Sequence, residues 1–395
     1  MPIVDCLVLS GGGAKGAYGA GVAKAIAVYR HLKNVQSSLC YIGTSAGALN
    51  AAVLAGADAD ALISFWTSVT PRMVLGSRIR SPRFQGALHL LTRRRFFSIY
   101  GNKGLQKLIG ESVQLAPMQQ RGSHLIIAVT NYTRGTLEAF YVSPLIEQFV
   151  SADAGRQLDQ QRIQHFRKLR TQADLEKSLL ASAAIPIFFP PVDINGDWYI
   201  DGGIGNHTPT REAAYFLRYL AHTGSGQPGE VFCVKQDPPR NIKDKEATLP
   251  ATDVFKRTLE IYHHVHTEPI VRAWARINDE VRDYNERIEA FLLWLSTQSI
   301  LPSLQTSIAQ ELQQQLGTLG LATARKDLGD LIEVEPSTEL TDTLDFDPAR
   351  IRETIKRGYL DMLSIFKNRV SKFEERGQLT PAEYKLLVDV KLFGS

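Results

Sequence analysis

Two blocks near the start of the chain do most to limit its fold. In each, a short apolar run ends in a cluster of small residues, and a helical pattern follows at once. Residues 4–9 run into Gly11-Gly12-Gly13, after which residues 14–32 carry an alanine-rich helical pattern. Residues 39–42 run into Gly43-Thr44-Ser45-Ala46-Gly47, and a helix of small residues follows over 46–56. A continuous apolar run bounded by turn residues reads as a strand buried on both faces. Further runs at 124–130, 137–142, 231–234 and 331–334 read as strands, and 175–184 as a helix that stops before Pro186. Residues 192–194 and 198–200 flank Asn195-Gly196 and Asp197, a hairpin signal. Strands alternating with helices call for a three-layer α/β/α fold with a mainly parallel central sheet.

The first block satisfies G-x-G-x-x-G over residues 11–16, the dinucleotide-binding pattern. A dinucleotide site also needs an acid about 20 residues on to hold the ribose, and no Asp or Glu stands between Asp5 and Asp58. A P-loop fails as well, because Ala17-Tyr18 follow Gly16. A dinucleotide-binding oxidoreductase therefore explains only these six residues. What the block retains is a set of backbone N–H groups at a helix start, turned toward negative charge. Gly11, Gly12, Gly13 and Ala14 are the candidates. Lys15 beside them has two readings, a cation that steers a phosphate head group or a solvated lysine at a helix start.

The second block is G-x-S-x-G between a strand and a helix. Small neighbours, Gly43 and Gly47, permit the sharp turn that lifts a serine hydroxyl clear of the sheet, so Ser45 is the candidate nucleophile. A serine nucleophile needs a base. Of the histidines beyond Asp201, only His207 sits in a glycine-rich loop after a strand, six positions behind that acid. Asp201-Gly202-Gly203, directly after the strand 198–200, displays its carboxylate as a base would; the competing reading is an Asx turn closing the hairpin. His263, His264 and His266 diverge around a helix and no H-E-x-x-H occurs, so no metal site is expected. No cofactor is implied.

Charge is distributed unevenly. The whole chain carries +4, yet residues 1–110 hold three acids against thirteen Lys and Arg. No acid falls between Ala61 and Gly110, while Arg72, Arg78, Arg80, Arg83, Arg93, Arg94 and Arg95 do. Such an excess points to an anionic partner. Apolar residues interleave with these arginines, which favours a basic cap over 70–97 that docks on an anionic membrane surface, with Arg93–Arg95 meeting lipid phosphates; no nucleic-acid recognition module accompanies them. Residues 241–330 differ again, being polar and helical without strand signals. There Ile270, Trp274, Ile277, Val281, Tyr284, Ile288, Phe291 and Leu295 form one apolar stripe, introduced by Thr267 as a cap and Pro269 in the first turn. Two readings stand: a long helix packed across the body, or a coiled-coil seam that makes a homodimer through 270–295. With 44% hydrophobic and 22% charged residues, no apolar run of membrane-spanning length and three scattered cysteines, the expectation is one globular catalytic domain over 1–395, cytoplasmic, with peripheral membrane association.

Gly-Gly-Gly-Ala-Lys-Gly at 11–16, Gly-Thr-Ser-Ala-Gly at 43–47, Ser-Ala-Ala-Ile-Pro through Phe189-Pro190 after Ala181, and Asp-Gly-Gly at 201–203 resemble, in order and spacing, the patatin-like phospholipases. The similar region spans about residues 5–210, and residues 345–361 are similar to the family's final helix. The resemblance implies a patatin-like fold and lipid acyl hydrolysis by a Ser45–Asp201 dyad without histidine, with the glycines 11–13 and neighbouring amides as oxyanion hole. Its implied substrate is a phospholipid or another acyl lipid, cleaved as by a phospholipase A or lysophospholipase; a neutral-lipid esterase or acyl thioesterase on the same dyad is the alternative.

Overall fold

The computed structural model describes residues 2–76, 98–151, 166–223, 225–237, 251–297, 306–311, 314, 328–369 and 378–393. In chain order its elements are β1 (Ile3–Leu9), a 3₁₀ turn (Gly13–Gly16), α1 (Ala17–Leu32), β2 (Ser38–Thr44), α2 (Ala46–Gly56), α3 (Ala59–Ser68), α4 (Pro71–Leu75), α5 (Lys103–Ser112), α6 (Leu115–Gln120), β3 (His124–Asn131), β4 (Thr136–Val142) and α7 (Pro144–Ser151). There follow β5 (Phe166–Lys168), α8 (Gln172–Ser182), β6 (Val192–Ile194), β7 (Asp197–Ile200), α9 (Gly203–Asn206), α10 (Thr210–Thr223), β8 (Gln227–Val234), α11 (Ala251–Thr297), β9 (Asp330–Val334), α12 (Pro348–Asn368) and α13 (Pro381–Val388).

The strands form one sheet in the order β5-β4-β3-β2-β1-β8-β9, with the β6–β7 hairpin attached to β3. From β3 through β2, β1 and β8 to β9 all neighbours are parallel; β4 joins β3 antiparallel. The mainly parallel sheet of the α/β reading is therefore present. The apolar run of β1 explains its central place. Val4, Cys6 and Val8 face one core with Phe216, Leu217 and Leu220 of α10, while Leu7 and Leu9 face the other with α1 and α2. Side chains alternate across a strand, so a strand covered by helices on both sides must be apolar throughout. Asp5 breaks the run and is fully buried, but it receives Arg30 Nη1 at 2.5 Å, the Ser37 hydroxyl at 2.5 Å and the Glu230 N–H at 2.8 Å. A buried carboxylate is tolerated when its oxygens are satisfied in this way. Cys6, Cys40 and Cys233 are all buried and none is disulfide-bonded.

The Asn195-Gly196 turn behaves as its sequence requires: φ is 56° and 89° at the two residues, and Val192 pairs with Tyr199 across the hairpin. The helical stretch departs from its expected start. Within the described residues α11 begins at Ala251, so Thr267 is a buried mid-helix residue and Pro269 an interior proline. The turns before Pro269 pack against α9 and the site described below, and that packing overrides the local start signals. On the stripe, Trp274 and Leu295 are buried while Ile277 and Phe291 are exposed. Trp274 Nε1 and Asn278 Nδ2 both donate to the Gly329 carbonyl, at 3.1 and 2.8 Å, which ties α11 to the strand at the sheet edge. Among the described residues, no helix is long and apolar enough to cross a membrane.

Candidate active site

In an open α/β sheet the ligand crevice lies beyond the carboxyl ends of the strands, where the strand order reverses. That reversal occurs here at β1, with β2 on one side and β8 on the other. Three loops meet there: Ser10–Gly13 after β1, Ser45 after β2, and Lys235–Asp237 after β8.

Ser45 occupies the N-cap of α2 but does not cap it. Its backbone sits at φ 55°, ψ −125°, and its side chain makes no capping bond. A serine at that position ordinarily folds its hydroxyl back onto the helix; the strained backbone turns it away and leaves it for chemistry. The turn closes only over glycine. A Cβ on Gly47 would lie 2.1 Å from the Leu9 carbonyl oxygen, and one on Gly43 would lie 2.2 Å from that of Gly47. The strain is held from outside the motif. Ser45 N–H donates to Ser182 Oγ at 2.9 Å, and Ser182 Oγ donates in turn to the Ala128 carbonyl at 2.7 Å. Thr44 Oγ1 donates to the Asn206 carbonyl at 2.8 Å. The positioning role of Ser182 was not visible beforehand; its only signal is membership of the Ser-Ala-Ala-Ile-Pro block.

Asp201 follows β7 and is buried beside Ser45. Its backbone is pinned on both sides, since its N–H donates to the Ala184 carbonyl at 3.0 Å and its carbonyl receives the Thr130 hydroxyl at 2.9 Å. Oδ1 accepts the Gly203 N–H at 2.7 Å, whereas the buried Oδ2 has no regular hydrogen-bond partner among the described residues. Burial pushes this carboxyl up to about 7, against the opposing influence of the Ser45 hydroxyl and the Gly203 N–H. Burial of an incompletely solvated carboxylate raises its basicity in this manner.

The glycine loop narrows the expected set of four amides. Gly11 N–H donates to the His207 carbonyl at 3.1 Å and Ala14 N–H to the Thr343 carbonyl at 2.8 Å, so neither is available to a ligand. Gly12 and Gly13 N–H make no backbone hydrogen bond among the described residues. Both adopt positive φ, 151° and 59°, and a Cβ on Gly12 would stand 1.9 Å from Gln236 Oε1. Glycine alone fits there.

Lys15 is neither a solvated lysine nor a free steering charge. It is buried, and its ammonium pairs with Asp237 at 2.6 Å and Glu260 at 3.6 Å. Burial works against the charge, but Asp237, Glu260 and Asp342 together hold it above the usual lysine range. Two histidines complete the polar wall. The rings of His207 and His263 stack at 3.7 Å with an interplanar angle of 10°. Burial lowers both, His207 strongly and His263 to about 4, so the pair is neutral. His263 reaches the site because α11 starts early; with Leu259 and Glu260 it forms the inward face of that helix. Arg93, Arg94 and Arg95, and with them most of the basic cap, lie outside the described residues.

The cavity has two lobes that share Ser45, Ile185 and Leu344. One carries Lys15, Asp201, His207, Asp237, Glu260 and His263, beside Ile185, Phe188, Ile204 and Leu259. The other is lined by α2, α3, α4 and α5, and by Phe189 and Phe346.

A family model for patatin-like phospholipases matches residues 7–214. Among solved structures, VipD from Legionella pneumophila aligns at 14% identity and a TM-score of 0.33 over 92% of this chain. The chain covers 66% of that protein, just short of two thirds of its length. No curated protein sequence matches.

Proposed function

This chain belongs to the patatin-like phospholipase family, a family of lipid acyl hydrolases, and we propose that it cleaves carboxylic esters of phospholipids or lysophospholipids with Ser45 as nucleophile and Asp201 as base. One observation carries the reading: a serine held in a strained elbow beside a buried carboxylate whose second oxygen has no regular hydrogen-bond partner, where a lobe carrying six ionisable side chains meets an apolar one. A carboxylate that titrates near 7 is matched to proton transfer at neutral pH.

Ionised Asp201 takes the Ser45 proton as Oγ attacks the acyl carbonyl carbon. The carbonyl oxygen becomes an oxyanion, and the uncommitted amides of Gly12 and Gly13 are the donors that would receive it. Each such donor is typically worth about 10²–10³ in rate. The tetrahedral species collapses, the ester C–O bond breaks, and the alcohol leaves with the proton from Asp201. Water then attacks the acyl-serine, giving its proton to Asp201, and the fatty acid departs as Ser45 recovers its hydrogen. The lowered histidines take no part as a base in this scheme.

The test is product analysis by mass spectrometry after digestion of vesicles that contain phospholipids, lysophospholipids and triacylglycerol. Fatty acid with lysophospholipid or its glycerophospho remnant is expected, and Ser45→Ala should reduce it by at least about 10³-fold. Release from triacylglycerol alone would move the chain to the neutral-lipid reading. Undiminished release by Ser45→Ala would refute the nucleophile.

A further inference from the structure

We infer that Gln236 is a positioning residue whose side-chain amide sets the direction in which the Gly12 and Gly13 N–H groups point, an inference that rests on the hydrolase reading above. The end of β8 grips the glycine loop at several points. Ser10 N–H donates to the Val234 carbonyl at 3.1 Å, and Asp237 holds Lys15 at 2.6 Å. Between these ties, Gln236 Nε2 donates to the Ser10 carbonyl at 2.8 Å. Gln236 is only 1% exposed, yet its Oε1 is buried with no hydrogen-bond partner among the described residues. A buried amide oxygen left unpaired is unfavourable, and a methionine would fill similar space without that cost. Packing alone therefore does not account for a glutamine here.

The reason lies in the loop it touches. Three consecutive glycines have little orientation of their own, because glycine tolerates both signs of φ. Partners outside the loop must choose it. The peptide between Ser10 and Gly11 is held at both ends, its carbonyl by Gln236 and its N–H by the His207 carbonyl at 3.1 Å. The peptide between Gly12 and Gly13 is held at one end, since Lys15 N–H donates to the Gly12 carbonyl at 3.2 Å. Among the described residues, the peptide between Gly11 and Gly12 makes no backbone hydrogen bond at either end, and it carries the Gly12 N–H.

Gln236 brackets that peptide. Its nitrogen fixes the carbonyl on one side, and its side chain lies along Gly12 on the other, where an added Cβ would meet Oε1 at 1.9 Å and Cδ at 3.0 Å. The opposite amide orientation would set Oε1 against the Ser10 carbonyl, acceptor to acceptor. The unpaired oxygen is thus the consequence of committing the nitrogen. With both sides held, the Gly12 N–H keeps one direction, and it stays paired with that of Gly13 as a donor set. A misplacement of about 1 Å in such a set costs on the order of 10²-fold in rate.

The experiment measures kcat and KM for p-nitrophenyl butyrate, and the inhibition constant of an alkyl trifluoromethyl ketone. When that ketone binds, the Ser45 oxygen bonds to its carbonyl carbon, the serine proton passes to Asp201 and the ketone oxygen becomes an alkoxide. Tight binding therefore needs the oxyanion donors in place. Gln236→Met keeps the shape of the side chain and removes its donor, while Gln236→Asn withdraws the amide from both contacts. In each variant kcat should fall roughly 10- to 100-fold with KM changed by less than about twofold, and the inhibition constant should rise by a factor similar to the fall in kcat. Thermal melts check that each variant is folded, and if Gln236→Met does not fold, Gln236→Asn decides. An unchanged kcat, a loss confined to KM, or an inhibition constant that does not follow kcat would overturn the assignment. Ser45→Ala separates the two levels. If the wild type hydrolyses no ester, or Ser45→Ala keeps the activity, the hydrolase site itself is wrong; an activity that needs Ser45 but ignores both Gln236 variants removes only the role of Gln236.

Discussion

Replacing Asp201 by Asn should stop catalysis and make the protein more stable, and the second effect depends on pH in a calculable way. The carboxyl titrates near 7 in the fold instead of its ordinary 3.8, chiefly because it is buried. The fold therefore prefers the protonated acid, while the unfolded chain releases its proton about three pH units lower. At about 1.4 kcal/mol per pH unit, ionised Asp201 costs the native state at most ~4 kcal/mol. Here the sign is opposite to that of a salt-bridged carboxylate: stability is lost as pH rises from about 4 to about 7, and the cost is complete above that. Asparagine has nearly the same shape, can still accept the Gly203 N–H, and carries no charge to bury. Urea unfolding of both proteins at pH 5 and pH 8 should give an Asn advantage of roughly 2 kcal/mol at the lower pH, rising toward 4 kcal/mol at the higher. Over the same interval wild-type kcat/KM should climb with pH as Asp201 ionises, and the Asn variant should show at least about a 10³-fold deficit throughout. An Asn variant that is active would remove Asp201 as base and direct attention to His207. One that is inactive but no more stable at pH 8 than at pH 5 would mean that the carboxylate is satisfied in a way its uncommitted oxygen does not reveal.

Two further substitutions probe the surroundings of the proposed dyad. Ser182→Ala leaves the Ser45 N–H and the Ala128 carbonyl without their shared partner; a stability loss of ~2 kcal/mol and a fall in kcat of roughly 10- to 100-fold at nearly constant KM are expected. A change in KM alone would show that Ser182 does not hold the nucleophile's geometry. Lys15→Met deprives Asp237 of its buried cation and should cost ~2–3 kcal/mol in urea unfolding, since Asp237 is partly exposed and its charge partly screened. The preference between anionic and zwitterionic vesicles should stay the same; a selective loss on anionic vesicles would restore Lys15 as a head-group contact.

Features whose geometry demands one residue type were the readable ones. The elbow at 43–47 admits no Cβ on either glycine, and a run apolar at every position, as in β1, has only a strand covered on both faces to occupy. Contacts made across long separations left no local trace. Lys15 finds Asp237 222 residues away, and the amides of Gly11 and Ala14 are taken by carbonyls of residues 207 and 343, so four apparent donors become two. The start of α11 was misplaced because Thr267 and Pro269 form a sound local signal for a helix beginning. Packing of Leu259, Glu260 and His263 against the site outweighs it. For the same reason His263 looked like one of three divergent histidines instead of half of a stacked pair.

The bond from Ala14 N–H to the Thr343 carbonyl bears on how the chain is made. The glycine loop is synthesised some 330 positions before the carbonyl that ties its far end, and that carbonyl is followed by α12, whose Phe366 stacks on Tyr29 of α1 at 4.1 Å. Domains form as units once their long-range partners have emerged. A nascent chain thus carries Ser45 and its elbow without this anchor on the opposing loop until residue 343 has emerged. A chain interrupted before residue 343 therefore lacks the carbonyl that holds the end of the glycine loop opposite Ser45.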